Sequence, residues 1–88
     1  MADPRKSIHD RSYQVLVECL RAARRAADIT QVELAAKLGA DQSYVSKYER
    51  SERRVDVIEV RAVCRALNLD LATFIDSFEA ALKRNGLS

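Results

Sequence analysis

The chain has few of the residues that metal sites and catalytic centres require. Its 88 residues include one histidine, His9, and two cysteines, Cys19 and Cys64, which lie far apart in the sequence. Because the spacing typical of zinc ligands is absent, we expect neither a metal site nor another cofactor. The sequence also shows no nucleophile–base pairing and no glycine-rich phosphate loop, so an enzyme is not expected.

Long apolar stretches are absent as well. No run approaches the length of a membrane span, and the N-terminal segment lacks the apolar core of a signal peptide. Cys19 and Cys64 fall on apolar helix faces and are expected to be free, buried thiols, which fits a reducing compartment. We therefore expect a cytoplasmic protein with no membrane partner. No internal repeat, low-complexity tract or strand pattern occurs.

Charge is nearly balanced, with 15 basic and 13 acidic side chains and a formal net charge of +2. Many nucleic-acid-binding proteins are more basic, so total charge is only a weak indication of such a partner. The distribution of charge is more informative. Residues 1–27 carry more basic than acidic groups, and Arg50, Arg53 and Arg54 crowd one short segment.

The length predicts one small domain. Residues 1–10 are polar, contain the only proline and are expected to form a flexible N-terminal arm. Arg5 and Lys6 in this arm could touch phosphate or a minor groove, although a disordered tail is the simpler interpretation. His9 is expected to be a solvated surface residue. We assign residues 11–84 to the single domain and residues 85–88 to a C-terminal tail.

A first helix is predicted by apolar residues that recur at spacings of three and four, from about Asp10 or Ser12 to Ala27. Arg24 lies at the edge of the apolar face, and periodicity alone does not decide whether it is buried. The predicted inward residues are Tyr13, Leu16, Leu20, Ala23 and Ala27, with Val17 and Cys19 widening the apolar arc.

A second, shorter helix is predicted from Gln31 to Leu38. Thr30 and Glu33 have the spacing of a capping box, in which each side chain bonds the backbone of the other residue. Gly39 follows the last apolar residue, where a left-handed residue commonly ends a helix.

A third helix is predicted from Gln42 to Glu49, with Asp41 as the candidate cap. Val45 and Tyr48 are three residues apart and should face the core. A helix this short cannot be stable alone, so it must pack against its neighbours. The predicted outward residues are Gln42, Ser43, Ser46 and Lys47, with Tyr44 at the edge of this face.

Two short helices with a tight turn at Gly39 make residues 31–50 typical of a DNA-binding helix-turn-helix unit. The outward face of the third helix is rich in side chains that donate and accept hydrogen bonds, and no acid lies near its start. Such a face suits the base edges of a major groove, so double-stranded DNA is the predicted partner.

Two further helices are predicted in the C-terminal half. Asp56 and Glu59 form a second capping-box pattern, Asn68 is a candidate left-handed stop, and Asp70 is the candidate cap of the fifth helix. The predicted inward residues are Val57, Val60, Val63, Cys64 and Leu67 in the fourth helix, and Leu71, Phe74, Ile75, Phe78 and Leu82 in the fifth.

The fifth helix carries more apolar residues than a core of this size requires, because Phe78 and Leu82 extend beyond Phe74. Two interpretations remain open. The helix could simply close the core, or Phe78 and Leu82 could meet the same residues of a second subunit across a two-fold axis. Phe74, Phe78 and Leu82 are accordingly the predicted dimer interface.

Several pieces of sequence occur together and in register: Arg24, TQVELA at 30–35, KLG at 37–39, QSYVSKYER at 42–50 and the apolar stripe from Val57 to Leu67. With this pattern the chain resembles the phage-repressor and Cro-like helix-turn-helix proteins, also called the Xre-like family, over about residues 15–78. Each piece alone is weak, but the combination is specific.

This resemblance implies an all-α fold, a compact five-helix bundle of the lambda-repressor-like DNA-binding type, with the third helix in the major groove. In such proteins a glutamine at the start of the second helix contacts phosphate, which corresponds to Gln31. The first exposed residues of the third helix contact bases, which implies Gln42 and Ser43. A further base contact one turn later corresponds to Lys47.

The resemblance also implies that Arg24 and Glu49 form a structural ion pair, which would bury Arg24. The chain departs from the family at Asp28, Ser51 and Asn68, where glycine is common. If the backbone is left-handed there, each side chain adds a conformational cost on the order of 1 kcal/mol. Asn and Asp tolerate this conformation better than Ser.

Side-chain chemistry agrees with these base contacts. Gln42 can form two hydrogen bonds with adenine, Ser43 can bond several bases, and Lys47 can reach guanine or a phosphate. For Tyr44, three roles remain open: packing, a hydrogen bond from its hydroxyl to phosphate, and contact with a thymine methyl group. We favour the phosphate contact.

Arg50, Arg53 and Arg54 suit phosphate neutralisation, although Glu52 weakens the positive field around them. The alternative is an ordinary solvated loop. If four to six phosphates are contacted per half-site, the logarithm of affinity should fall with the logarithm of salt concentration by roughly 0.9 per contact.

We therefore expect a transcription regulator, most simply a repressor, that binds an inverted-repeat operator as a homodimer. So short a chain leaves little room for a sensor or activation domain, which favours repression by occlusion of a promoter. The alternative is an antitoxin or protein-interaction module that neutralises a small protein partner and uses DNA binding only for its own regulation.

Overall fold

Five α-helices follow one another in the computed structural model, which describes residues 10–87. No strand occurs in this range, so the predicted all-α, five-helix architecture is confirmed. Predictions for Arg5, Lys6 and His9 in the N-terminal arm lie outside the described residues. Within the described range no helix is long and apolar enough to cross a membrane. The helices are α1 (Arg11–Ala26), α2 (Gln31–Leu38), α3 (Gln42–Glu49), α4 (Val57–Ala66) and α5 (Leu71–Arg84).

Capping boxes start α2 and α4, as the sequence predicts. Thr30 Oγ1 accepts a hydrogen bond from the Glu33 N–H, and Glu33 Oε1 accepts one from the Thr30 N–H. Asp56 and Glu59 make the same reciprocal pair at 2.8 and 3.0 Å. Each box satisfies backbone donors that a helix start otherwise leaves without a partner, which determines where these two helices begin.

The other three helices begin at aspartates. Asp10 accepts a hydrogen bond from the Ser12 N–H, and Asp70 accepts one from the Thr73 N–H. Asp41 has the extended backbone of a cap residue, but its side chain makes no capping hydrogen bond. The start of α3 therefore depends more on packing against neighbouring helices than on its own cap.

Left-handed backbone ends several of the helices. Gly39 has φ 68° after α2, and Asp28, Ser51 and Asn68 have φ of 58°, 59° and 59°. All three departures from glycine thus lie at left-handed positions, where a Cβ atom approaches the following carbonyl oxygen. Ser51 is the least suited of the three, because Asn and Asp side chains tolerate this region better.

Ser51→Gly is expected to raise the free energy of unfolding by about 0.5–1 kcal/mol, since the steric cost removed exceeds the added entropy of the unfolded glycine. Asn68→Gly is the matched control and should give a smaller change. Urea denaturation followed by circular dichroism measures both. A Ser51→Gly protein that is no more stable than wild type would show that the left-handed serine carries no net cost.

The main core lies between α2, α3, α4 and the middle of α1 and α5. Leu34, Val45 and Tyr48 are completely buried in it. Tyr48 is a core residue, as predicted, but its hydroxyl has no hydrogen-bond partner among the described residues. The other buried members are Leu20, Ala35, Val55, Val60, Val63, Cys64, Leu67 and Phe74.

A second, smaller cluster joins the two terminal helices, which lie antiparallel. Val15 packs against Ala81 and Leu82, and Arg11 Nη2 donates a hydrogen bond to Asn85 Oδ1 at 2.9 Å. Val15 was missing from the predicted core because it lies off the face that contacts α2 and α3. The α1–α5 contact gives α1 a second buried face, which a single periodic stripe does not predict.

This cluster corrects the expectation that the end of α5 is surplus to the core. Phe74 and Leu82 are only 5% and 9% exposed within the single chain, whereas Phe78 is half-buried. Two other inward assignments were also wrong. Val57 is 62% exposed on the open first turn of α4, and Ala27 is exposed where α1 ends.

Candidate nucleic-acid interface

Buried apolar residues hold α2 and α3 together as one unit. Leu34 and Ala35 of α2 pack with Val45 and Tyr48 of α3, and all four are at most 2% exposed. Between the helices, Gly39 supplies the left-handed turn. The angle between α2 and α3 is therefore set by side-chain packing, and the opposite face of α3 contributes nothing to this core.

That opposite face carries three predicted base-contact residues. Gln42, Ser43 and Lys47 are all exposed and lie on one side of α3. Ser46 is half-buried, and its hydroxyl donates a hydrogen bond to the Ser43 carbonyl at 3.3 Å. The side chains of Ser43 and Lys47 project into solvent, so the face offers donors and an acceptor at the start of the helix and a cation one turn later.

The end of α3 is held by a buried ion pair between Arg24 and Glu49. Arg24 Nε lies 2.7 Å from Glu49 Oε2, and Arg24 Nη2 lies 3.0 Å from Glu49 Oε1. Arg24 Nη1 also donates to the Ile29 carbonyl at 2.8 Å. The residues are 8% and 3% exposed, so the ambiguity over Arg24 is resolved: it faces inward. This guanidinium is not available to DNA.

A second arginine contacts the same carboxylate. Arg21 Nη2 donates to the Glu49 carbonyl, and Arg21 Nε lies 3.7 Å from Glu49 Oε1. Burial raises the pKa of the Glu49 carboxyl, but hydrogen bonds from Arg24 and Gln31 and the charges of both arginines outweigh burial and lower that pKa. Glu49 is therefore ionised at neutral pH. Periodicity places Arg21 off the apolar face and does not predict this contact.

Gln31 lies between the Arg24–Glu49 ion pair and the exposed face of α3 that carries Gln42. Its side-chain Nε2 donates to Glu49 Oε1 at 3.0 Å, and its Oε1 accepts from Gln42 Nε2 at 3.3 Å. A residue predicted only as a phosphate contact thus joins α2 to both ends of α3. Nothing in the local sequence pattern indicates this, because the two partners lie 11 and 18 residues away.

The arginines that follow α3 are partly neutralised within the chain. Arg50 pairs with Glu52 at 2.7 Å, and Arg53 pairs with Glu59 at 2.8 Å. Both pairs are exposed enough for solvent to screen them, so each is weak. Arg54 is exposed and has no ion-pair partner within residues 10–87. Of the three arginines predicted to contact phosphate, Arg54 is the one that pairs with no carboxylate among the described residues.

Tyr44 contacts both members of the Arg53–Glu59 ion pair. Its hydroxyl donates to Glu59 Oε2 at 2.9 Å, and the guanidinium of Arg53 lies over its ring, 4.6 Å from the centroid. Burial, followed by the hydrogen bond to Glu59, raises the pKa of Tyr44 to about 12, so the hydroxyl stays protonated. The Tyr44 ring also packs edge-on against Tyr48 at 5.6 Å. The Tyr44 hydroxyl can donate to a phosphate only if its hydrogen bond to Glu59 is broken.

Tyr13 of α1 anchors the arginine-rich loop. Its hydroxyl donates to the Arg53 carbonyl at 2.9 Å and accepts from the Val55 N–H at 3.0 Å. The sequence places Tyr13 on the inward face of α1 but shows no sign of this second role. The bond pins the loop between α3 and α4 to the body of the domain.

With this geometry established, comparison with known proteins identifies the family. The helix-turn-helix family matches residues 20–74, and an XRE-family-like protein from Pseudomonas syringae pv. tomato str. DC3000 shares 48% sequence identity. The chain belongs to the XRE-type helix-turn-helix family. This confirms the resemblance on which the sequence prediction was based.

Solved structures of XRE-type and related proteins share the whole fold. The Pseudomonas protein superposes with a TM-score of 0.77, covering 90% of this chain and 96% of its own. The clp gene regulator ClgR from Corynebacterium glutamicum shares 26% identity with a TM-score of 0.70, covering 80% and 90%. No curated protein sequence matches.

The restriction-modification controller protein C.Esp1396I has the same fold at 19% identity. Its structure as a tetramer in complex with its natural 35 base-pair operator gives a TM-score of 0.77, covering 83% of this chain and 96% of that one. Because the identity is low, this likeness concerns the fold alone. As a member of the XRE-type family, the present chain is a DNA-binding transcription regulator.

Proposed function

We propose that this XRE-type protein represses transcription by binding an inverted-repeat operator as a homodimer, with α3 in the major groove. The observation that carries the proposal is the exposed polar face of α3, which is mounted on completely buried residues of α2 and α3. The residues of this face are not part of the core, so their side chains can contact bases without disturbing core packing. C.Esp1396I, which shares the fold, binds its operator as a tetramer, so this architecture is compatible with multimeric DNA binding.

The base contacts in this proposal come from Gln42, Ser43 and Lys47. Gln42 carries a donor and an acceptor that match N7 and N6 of adenine, whereas Lys47 matches guanine O6 and N7 or a phosphate. Ser43 has a hydroxyl that serves either role. All three are exposed in the free protein, so no refolding is required for contact.

Phosphate contacts flank this face in the proposal. Arg54 reaches phosphate directly, whereas Arg50 and Arg53 exchange Glu52 and Glu59 for phosphate oxygens. Gln31 contributes its side-chain amide from the start of α2, where the helix dipole favours an anion. The proposed contact from Tyr44 depends on the same release of Glu59.

The proposed dimer uses the exposed side of α5. Phe74 and Leu82 are buried by packing within the chain. Of the predicted interface residues, Phe78 therefore has the most exposed surface for contact with a second copy. A two-fold dimer places two copies of α3 about 34 Å apart, on successive major grooves of one face of the duplex.

Selection from random duplex DNA tests the proposed function, because it gives half-site sequence and spacing in one experiment. We expect an inverted repeat with half-sites about one helical turn apart, bound by two chains as measured by light scattering. Enrichment of a single half-site would overturn the homodimer. Failure to enrich any DNA, together with co-purification of a small protein, would favour the antitoxin alternative.

Gln42→Ala is expected to lose roughly 1–3 kcal/mol of discrimination at one base pair of each half-site, because a bidentate contact with adenine is removed. Lys37→Ala, which truncates an exposed side chain on α2, is the control and should leave discrimination at that base pair unchanged. Competition binding against single-base variants of the selected operator measures the effect. Equal losses on the operator and on random DNA would argue against base contact by Gln42.

A further inference from the structure

We propose that Glu49, buried at the end of α3, determines which way the side-chain amide of Gln42 faces and thereby which base Gln42 accepts. Glu49 touches no DNA in this proposal; it is a positioning residue that acts through Gln31. The inference rests on the proposed DNA-binding function and adds a residue that sets its specificity.

The argument begins with the chemistry of the buried carboxylate. An ionised carboxylate only accepts hydrogen bonds, so a neighbouring amide must present its NH2 group to it. Two hydrogen bonds from Arg24 hold both oxygens of Glu49, which is 3% exposed. The lowered pKa of Glu49 keeps it ionised at neutral pH. The carboxylate is therefore a fixed acceptor in a fixed place.

That acceptor determines the orientation of Gln31. With Nε2 of Gln31 bonded to Glu49 Oε1 at 3.0 Å, its Oε1 faces the other way, towards the start of α3. A reversed Gln31 amide would place its own oxygen against the carboxylate. That contact is repulsive, and the Gln31 oxygen would have no donor there.

Gln31 in turn determines the orientation of Gln42. The Gln31 Oε1 accepts from Gln42 Nε2 at 3.3 Å, so Gln42 must also present its NH2 group inward. The Gln42 oxygen and the second N–H of the same amide remain for DNA. Adenine offers an N–H donor and an N7 acceptor in one spatial order, and only one orientation of an amide matches it. Glu49 thus selects that orientation from a distance.

Gln31→Met tests this relay, because it removes both hydrogen bonds and leaves the Arg24–Glu49 pair and Gln42 in place. We expect discrimination at the base pair contacted by Gln42 to fall about tenfold, with discrimination at other positions unchanged. Lys37→Met, an exposed substitution on the same helix, is the matched control and should leave the discrimination profile unchanged. In a Gln42→Ala background, Gln31→Met should cause no further loss at that base pair.

Two outcomes would overturn the relay in different ways. If Gln31→Met weakens every duplex by the same factor, Gln31 is a phosphate contact only, and the proposed function stands without the relay. If the wild-type protein selects no sequence at all, the proposed function fails, and the role of Glu49 in base choice fails with it.

Glu49 itself is tested by Glu49→Gln, whose amide allows either orientation of Gln31. The same tenfold loss at the same base pair is expected, measured on protein shown to be folded by circular dichroism. A folded Glu49→Gln protein with wild-type discrimination would overturn the proposal. Because this variant weakens a buried ion pair, hydrogen exchange in wild-type protein without DNA gives a second test. The Gln31 amide protons should exchange more slowly than those of the exposed Asn68, and equal exchange would contradict the relay.

Discussion

Arg24→Met is expected to lower the free energy of unfolding by about 3–5 kcal/mol, because it leaves Glu49 charged and buried without its main partner. The methionine fills much of the same space, so the effect comes from electrostatics and lost hydrogen bonds more than from a cavity. Three hydrogen bonds of the Arg24 guanidinium disappear at once: two to Glu49 and one to the Ile29 carbonyl. The neighbouring Arg25→Met is the matched control, since Arg25 is exposed.

Urea denaturation as a function of pH separates the ion pair from simple packing. The pKa of Glu49 is lowered in the folded protein from its ordinary value of 4.5, so the stability it contributes is present above pH 4.5 and is lost as pH falls below that value. Arg24→Met removes the main cause of the lowered pKa, so its stability should fall less steeply over the same acid range. Equal acid dependence in Arg24→Met and Arg25→Met proteins would assign the acid sensitivity to other carboxylates.

Leu34→Ala is expected to lower the free energy of unfolding by about 2–5 kcal/mol, through lost burial and the cavity left behind. Leu34 is completely buried where α2 packs on α3. A domain of this size has a total stability on the order of 4–13 kcal/mol, so the variant should lose a large part of it. DNA binding should weaken together with folding, since the angle of α3 depends on this packing.

Val32→Ala is the control for Leu34→Ala, because Val32 lies on the same helix and is 59% exposed. Its effect should stay within about 0.5 kcal/mol. Thermal and urea unfolding of both variants, followed by operator binding at low temperature, measures the difference. Similar losses for the two substitutions would mean that the α2–α3 contact is not the tightly packed junction described above.

Local signals in the sequence were sufficient for the helices and their ends. The capping boxes at Thr30 and Asp56, the left-handed Gly39 and the bounds of α2 all depend on residues within about four positions of each other. Interactions of such short range do not depend on how the helices pack together, so the sequence pattern alone predicts them. Periodicity correctly placed Leu34, Val45 and Tyr48 inside by the same reasoning.

The inward face of a terminal helix was less predictable. Val15 is buried only because α5 returns along α1, and Val57 is exposed only because no helix covers the first turn of α4. Periodicity gives the direction of an apolar face but not the number of neighbours that contact a helix. The surplus apolar residues of α5 were misjudged for the same reason, since Leu82 packs on Val15.

What the sequence by itself determined is the helical framework, the family and the polar face of α3 that carries Gln42, Ser43 and Lys47. Apart from the Arg24–Glu49 pair, which the family resemblance implies, only the tertiary structure decided which polar side chains of different helices and loops bond to one another. Gln31 and Glu49 lie 18 residues apart, and Tyr13 and Val55 lie 42 apart. Hydrogen bonds and ion pairs act over about 3 Å and leave no periodic trace in the chain, so their partners become known only when the helices are packed. The links from Glu49 through Gln31 to Gln42 are of this kind.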